Sequence, residues 1–558
     1  MMNQRHPAIL DGDSKYYIFA YLVFFVSSIH RILGIGWGMN GGFNSFPLSD
    51  SFHFGEFFAA TQAILSGSSL HPYVLHGASD IFPSLILSAF LSPDKAIFGS
   101  ILLYQLFGFL SSSAFVLLLL RLTKHSEARL PLVLLGAFVS VYALNYRDLF
   151  FVLSLYIYIY IRQRHDLRSF SSQLLALSLG IALCLNLYWS FNRGIVALVA
   201  FGLILLWESL FRRTSRFALL VFVASSVIVG FWLYRYGYID YISNIKLLIS
   251  TSDQWSYPLN RSTLLIAFAT VVTVSSSVLA GLLLVPPFPL RRIGDFTYVF
   301  LFIILSLLML RLSLNRIALI NSYYATWIPL LLIAWQSQSL RVFDDTLRRT
   351  ASAFGFYLSV LALGASVLCR SYPLALTAIF LVYVHGFWGA GLLRRNYLHF
   401  LVALLLVPPL LVGSYQATKI SVNLVRDSHL AGSSTGFPGL SRFVHADELE
   451  VATYLNKVAS SCVFDFTNSG LIHFASGRGM CSQMTYPVYA NLNYQDQMAA
   501  ELSLKKPSHV IYSTSKWFYS IDGKSMPMRF PKLDQLIKER YPNENCFASY
   551  CIRSAPAS

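Results

Sequence analysis

Apolar runs of about 20 residues recur from near the start of the chain to about residue 414, divided by short polar stretches. A helix rises about 1.5 Å per residue, so a run of that length covers the roughly 30 Å hydrocarbon core of a bilayer. About thirteen such segments are readable, near 16–36, 96–120, 130–146, 149–161, 170–191, 194–211, 217–235, 263–285, 296–314, 322–338, 351–369, 373–393 and 397–414, the fourth being short. The first has no small-residue cleavage site and is followed by further runs, so it reads as a span rather than a cleaved leader.

The pattern changes after Leu411. Residues 415–558 hold no span, and helix-like 446–458 and 533–540 alternate with strand-like 462–467, 509–513 and 546–552. The expected architecture is a polytopic α-helical membrane protein: a transmembrane domain over 1–414 and a small C-terminal α/β domain over 415–558. Of the six cysteines, Cys184 and Cys369 fall in spans, while Cys462, Cys481, Cys546 and Cys551 fall in the tail. An even set in an outer domain suggests disulfides, and the sequence-local pairs 462–481 and 546–551 are favoured over zinc, for which the usual CxxC spacing is absent.

Charge then orients the chain. Charged residues make up 12% of it and apolar residues 55%, with a mean hydropathy of +0.57 and a net charge of +16. A soluble domain has about twice that charged fraction. The excess positive charge sits in every second loop: Arg121/Lys124/Arg129, Arg162/Arg164/Arg168, Arg212/Arg213/Arg216, Arg291/Arg292, Arg341/Arg348/Arg349 and Arg394/Arg395. With thirteen spans these loops share one side with Arg5 and Lys15, which the positive-inside rule makes the cytoplasm. The N-terminus is then cytoplasmic and the tail extracytoplasmic, which in a bacterial inner (plasma) membrane is the periplasm. No exposed basic domain presents itself to nucleic acid.

The first outer loop, 37–95, is too long for a simple connection. It contains Asp50, His53, Glu56, His71, His76 and Asp80, with Lys95 as its one Lys or Arg. Its stretches 54–66 and 81–92 are too short to span and predict helices lying along the membrane surface. Glu56 opens the run Phe57–Gly67, where a helix dipole also favours a carboxylate, and Asp50 and His53 lie in the lead-in. Two carboxylates and an imidazole beside lipid are costly, and a base that deprotonates an acceptor hydroxyl must be such a group. Asp50 and Glu56 are therefore the first candidate catalytic residues, with His53 beside them for substrate. His76-Gly-Ala-Ser-Asp80 reads either as a capped turn or as a substrate contact.

Arg147-Asp148, at the outer end of the third span, is either a snorkelling arginine with its counter-ion or a second catalytic acid with Arg147 on a phosphate. Arg193 and Arg316 lie at outer ends against the basic-loop trend. They are candidate phosphate contacts, since a guanidinium fork matches phosphate oxygens, with interfacial snorkelling as the other reading. Lys246 and Arg261 are weaker members of the set. Walker A, HExxH, GxSxG and Rossmann glycine patterns are all missing.

Asp50-Ser-Phe-His-Phe-Gly-Glu56, then Gly67 and Pro72-Tyr73, resembles the acid, helix, Gly, Pro-Tyr run of bacterial members of the GT-C superfamily of integral-membrane glycosyltransferases. The cytoplasmic N-terminus, the surface helices of the first loop and the outer α/β domain fit the same resemblance. The family's close acidic pair is spread out here, leaving either acid as the base. The resemblance implies a polyprenyl-phosphate-linked sugar donor, an acceptor hydroxyl on a glycan, lipid or protein, and inversion at the anomeric carbon. It also implies arginines on the departing lipid phosphate, and it leaves open a divalent metal, Mg or Mn, on outer-loop acids such as Asp50, Glu56 and Asp148. The competing readings are an O-antigen polymerase or ligase-like enzyme, disfavoured by short late outer loops, and a lipid-linked glycan transporter or flippase. The latter predicts mid-span ionisable groups and paired broken helices, which the sequence scarcely shows.

Overall fold

A computed structural model describes residues 51–67, 72–124, 129–163, 170–211, 213–237, 239–251, 260–283, 293–315, 317–336, 346–389, 440–459, 462–513, 519 and 524–556. The expected spans 16–36 and 397–414, Asp50, Arg316 and the 414/415 boundary lie outside these residues. All the other expected spans fall on helices. Among the described residues, five helices are long and apolar enough to cross a membrane. A sixth span arises if 131–143 and 146–160, bent by 108° at their junction, are taken together.

The first loop supplies α1 (Ser51–Leu65) and α2 (Ala78–Ser88). The bundle continues with α3 (Pro93–Leu122), α4 (Arg129–Ala143), a 3-10 turn at Tyr146–Asp148, α5 (Leu149–Gln163), α6 (Phe170–Trp189), α7 (Phe191–Phe211) and α8 (Arg213–Tyr236). A short helix, α9 (Tyr241–Ser250), precedes α10 (Arg261–Leu283), α11 (Ile293–Asn315), α12 (Leu319–Tyr324), α13 (Trp327–Gln336), α14 (Thr346–Leu368) and α15 (Tyr372–Tyr383), which passes into a π-turn at Val384–Gly389. The segment 322–338, read as one span, is thus two short helices. Leu, Ile, Val and Phe from α3, α4, α5, α7, α11 and α13 build the main core.

The tail is a small α/β domain. Its four-stranded sheet has the order β1-β2-β4-β3, with β1 (Phe464–Asp465) parallel to β2 (His509–Ser513), and with β4 (Tyr550–Ser554) antiparallel to both β2 and β3 (Asn543–Phe547). The stretch 546–552, expected as one strand, is the tip of the β3–β4 hairpin, where Cys546 faces Cys551 and is disulfide-bonded to it. The second disulfide joins Cys462 to Cys481. Helices α16 (Ala446–Val458), α17 (Gly470–Ser476), α18 (Gln495–Lys505), α19 (Met526–Arg529) and α20 (Pro531–Arg540) pack around the sheet.

Of the two first-loop helices, α2 exposes Phe82 and Ile86 as a surface helix would, whereas α1 does not lie on an open surface. Phe52, Phe54, Phe57, Phe58, Ala59, Ala60 and Ala63 are all buried, so α1 is enclosed over most of its length, with Leu65 exposed at its end. A helix apolar all round must be covered all round, and here the bundle end covers one side and the tail the other. Phe54, Phe57 and Phe58 join a core with Ile97, Tyr104, Leu471 and Phe474, whereas Phe52 joins the tail core with Tyr486 and Tyr489. Two glycines let α1 and α17 touch: a methyl on Gly470 would overlap the carbonyl of Gly55, and one on Gly55 would overlap the Tyr486 phenol. Gly470→Val should therefore force the tail off α1 at a cost of about 1–3 kcal/mol. Limited proteolysis of the tail should accelerate, while Gly202→Ala, in open space, serves as the neutral control. Unchanged proteolysis in Gly470→Val would refute this docking.

Candidate functional site: a buried carboxyl beside two arginine–aspartate pairs

Glu56 sits within α1, not at its mouth, because the helix already runs from Ser51. It is 1% exposed. Its Oε2 accepts a 2.6 Å hydrogen bond from the Tyr489 phenol of the tail, and the Leu75 amide lies 3.4 Å from Oε1. Burial pushes the carboxyl from 4.5 up to about 8, and the negative charge of Asp80 adds to the shift. The hydrogen bonds and Arg147 pull the other way.

The turn that brings Asp80 in depends on Gly77, whose φ of +121° and contact with the carbonyls of Tyr188 and Trp189 leave no room for a side chain. The His76 carbonyl, next to it, accepts from the Phe191 amide at 2.8 Å, and the His76 side chain is half-buried. Asp80, in the first turn of α2, accepts from Arg147 Nε at 2.9 Å and from Nη2 at 3.3 Å. The Tyr146 phenol donates to it at 3.1 Å, and Tyr104 donates to its carbonyl. Burial pushes the Asp80 carboxyl up and the Arg147 guanidinium pulls it back.

Arg147 and Asp148 are neighbours in sequence but not each other's counter-ion. They lie in the 3-10 turn at the α4–α5 break. There the Asn145 side chain accepts from the Arg147 amide at 2.8 Å, and Asp148 Oδ2 accepts from the Asn145 amide at 2.9 Å. Asp148 Oδ1 takes Arg193 Nε at 3.0 Å, from the first turn of α7. The Arg193 guanidinium lies 4.1 Å over the Tyr324 ring, and its Nη2 is buried without a hydrogen-bond partner. Trp189 fixes the turn by donating to the Tyr146 carbonyl at 2.8 Å, with Phe82, Phe107 and Phe150 edge-on around its ring.

Glu56, Asp80, Arg147, Asp148 and Arg193 therefore meet at the bundle end facing the tail. His53 is on α1, but its side chain is not described. The sequence reading missed Tyr104, Tyr146, Tyr324, Tyr486 and Tyr489. A usable signal for the last two was the tyrosine-rich Thr485-Tyr-Pro-Val-Tyr489. Next to Glu56 is a cavity of about 10 Å³, room for one water, between Tyr73, Leu75, Leu247, Tyr486 and Tyr489.

Of the expected metal ligands Asp50, Glu56 and Asp148, Asp50 lies outside the described residues. Among the described residues, no three His, Cys, Asp or Glu side chains of the site bring ligand atoms within 4.8 Å of one another. The one such group, Glu544, Cys546 and Cys551, has both sulfurs in a disulfide.

No family model and no curated protein matches the chain. Among solved structures it is similar to ArnT from Cupriavidus metallidurans bound to undecaprenyl phosphate, at 12% identity and a TM-score of 0.45 over 98% of each chain. The apo state of that protein gives a TM-score of 0.42 at 12% identity over 97% of each chain. The Archaeoglobus fulgidus oligosaccharyltransferase in complex with Zn and sulfate gives 0.37 at 12% identity, over 94% of this chain and 71% of that one.

The raised Glu56 makes stability depend on pH. Between 4.5 and about 8 the folded chain holds a proton that the unfolded chain releases. The stabilisation is full below 4.5 and is lost as pH rises through about 8. Glu56→Gln should flatten the fall of the melting temperature across that window; an unchanged slope would assign it to another group.

Proposed function

We propose that this chain transfers a sugar from a polyprenyl-phosphate-linked donor to a hydroxyl acceptor at the outer face of the membrane, with Glu56 as general base. The observation that carries the reading is the Glu56 carboxyl itself: buried outside the spans, facing a hydroxyl at 2.6 Å, and close enough to Arg147 to feel its charge. The resemblance of the first loop to GT-C glycosyltransferases supports the same reading. So does the Arg193 nitrogen that is buried with nothing to bond.

In the reaction the acceptor O–H bond breaks and its proton passes to the ionised form of Glu56, whose population grows as pH rises toward about 8. The acceptor oxygen bonds to the anomeric carbon from the side opposite the phosphate, inverting it. The bond from that carbon to the phosphate oxygen breaks, and polyprenyl phosphate leaves with the electron pair. Arg193, held by Asp148, and Arg147, held by Asp80, lie where they offset the charge on the leaving group. Asp80 and Asp148 thus serve the donor side by holding arginines, and Asp50 stands as the alternative base. The acceptor is a glycan, a lipid or a protein; the enzyme belongs in the inner membrane, with its N-terminus cytoplasmic and its tail periplasmic.

The test is transfer from a radiolabelled polyprenyl-phosphate sugar in reconstituted vesicles. Glu56→Gln should lower turnover by about 10²-fold or more while the protein still inserts. Loss with Asp50→Asn alone would move the base to Asp50, and transfer persisting in the double variant would end the acid–base reading. Arg193→Ala should raise the donor KM well above any change in the acceptor KM; equal changes would count against its place on the phosphate.

A further inference from the structure

The tail reaches Glu56 through one side chain. Tyr489 closes a 3-10 turn, Pro487–Tyr489, whose shape is set by Val488 N–H on Asn468 Oδ1 at 3.1 Å and Tyr489 N–H on the Tyr486 carbonyl at 3.0 Å. Its phenol stands 2.6 Å from Glu56 Oε2. A base that takes a proton from an incoming hydroxyl needs that hydroxyl within about 2.6–3.2 Å. Tyr489 already fills that place, and the free space beside it holds no more than a water. Among the described residues, Tyr489 occupies the place that an acceptor hydroxyl would take at Glu56 Oε2.

The walls say what the place would accept. Around the cavity stand Tyr73, Leu75, Leu247, Met484 and Tyr486, with hydroxyls from Thr251 and Thr485, and neither lysine nor arginine is among the lining residues. The site's arginines serve Asp80 and Asp148 instead. A phosphate or carboxylate on the acceptor would meet walls without lysine or arginine, while Arg147, whose charge reaches Glu56, is already held by Asp80. A ring with an apolar face and a hydroxyl edge, the character of a tyrosine and equally of a neutral sugar, suits these walls.

The carrier of Tyr489 is irregular chain whose side chains Met484, Tyr486, Val488 and Tyr489 pack into the tail core, so opening must lift Val488 and Tyr489 out of it. From Cys481 to Gln495 the chain is turns and 3-10 segments, with no strand or long helix. It is tied to the rest of the site by the Tyr73 amide on the Gln483 carbonyl, Thr485 on the Tyr73 carbonyl, the Tyr486 phenol on the Phe52 carbonyl and Asn491 on the Ser250 carbonyl at 3.2 Å, and the 487–491 stretch itself by Val488 on Asn468 and by Asn491. The glycine contact of α1 with α17 and its Tyr486 phenol lie N-terminal to the 487–491 stretch and can stay closed while that stretch moves.

We propose that Tyr489 holds the place of the acceptor hydroxyl, and that the 487–491 segment closes an acceptor subsite that takes an uncharged, hydroxyl-bearing ring of sugar size. The chemistry after binding rests on the glycosyl-transfer reading, but opening itself can be observed without transfer.

Two measurements on the full-length protein in vesicles test it. In the transfer assay with methyl glucoside as acceptor, Tyr489→Phe should lower the acceptor KM severalfold without lowering kcat, because a competitor for Glu56 has gone. A tenfold fall in kcat at constant KM would make Tyr489 a positioning residue and overturn the proposal. A Ser250→Cys/Asn491→Cys disulfide should cut transfer at least tenfold relative to either single variant; full activity when locked would also overturn it. Methyl glucoside 6-phosphate should be the poorer acceptor, and a preference for it would refute the uncharged subsite. In hydrogen exchange, methyl glucoside should speed exchange of the Tyr489 amide in the wild type and not in the locked form. That result with no transfer keeps the subsite and rejects the glycosyl-transfer reading, whereas an unchanged amide rejects the subsite.

Discussion

Four charges are buried at one end of the bundle, and they can remain there only because each carboxylate holds a guanidinium. Asp80 with Arg147 and Asp148 with Arg193 are both nearly solvent-free. An unpaired charge at such depth costs several kcal/mol, so the four residues require one another. Their backbones come from α2, the α4–α5 break and α7. The pairs therefore fix the relative position of the first loop and three bundle elements, and the tyrosines and Trp189 fill the space that the pairs define. Glu56 is the exception. Among the described residues it has no arginine at hydrogen-bond distance, and burial leaves it mostly holding a proton rather than a charge at neutral pH.

The second constraint is the covering of α1. A helix with apolar residues on every face is unstable in the open, and neither the bundle nor the tail can cover it alone. The tail thus contributes to the fold of the first loop as well as to the site. The same docking that shields Phe52 and Phe58 brings Tyr486 onto the Phe52 carbonyl and Tyr489 onto Glu56.

Legibility in the sequence tracks the range of the interactions involved. Spans announce themselves locally, by length and apolarity, and the described ones are helices near where they were expected. The hairpin at 546–552 was hidden because its turn, Ala548-Ser549, lacks the Asn-Gly chemistry that marks a two-residue turn, and Ala548 takes a φ of +46° all the same. Asp80, Arg147, Asp148 and Arg193 were visible as charges in costly places. Their pairing was not, because adjacent residues in a 3-10 turn point apart, and each found its partner on another element. Tyr489 was unreadable as a partner of Glu56: no periodicity or spacing connects residues that far apart.

The hydrogen bonds from Tyr489 to Glu56 and from Tyr486 to Phe52 join positions 433 and 434 residues apart, nearly the whole chain. Contacts of such range form only after everything between them has been laid down and brought together. In a chain threaded back and forth through a bilayer, skipping a single pass delivers the tail to the opposite side from the first loop. The buried site is thereby a parity check on insertion: it assembles only in molecules whose first loop and tail emerge on the same side, and a copy that has skipped a single pass is left with α1 bare.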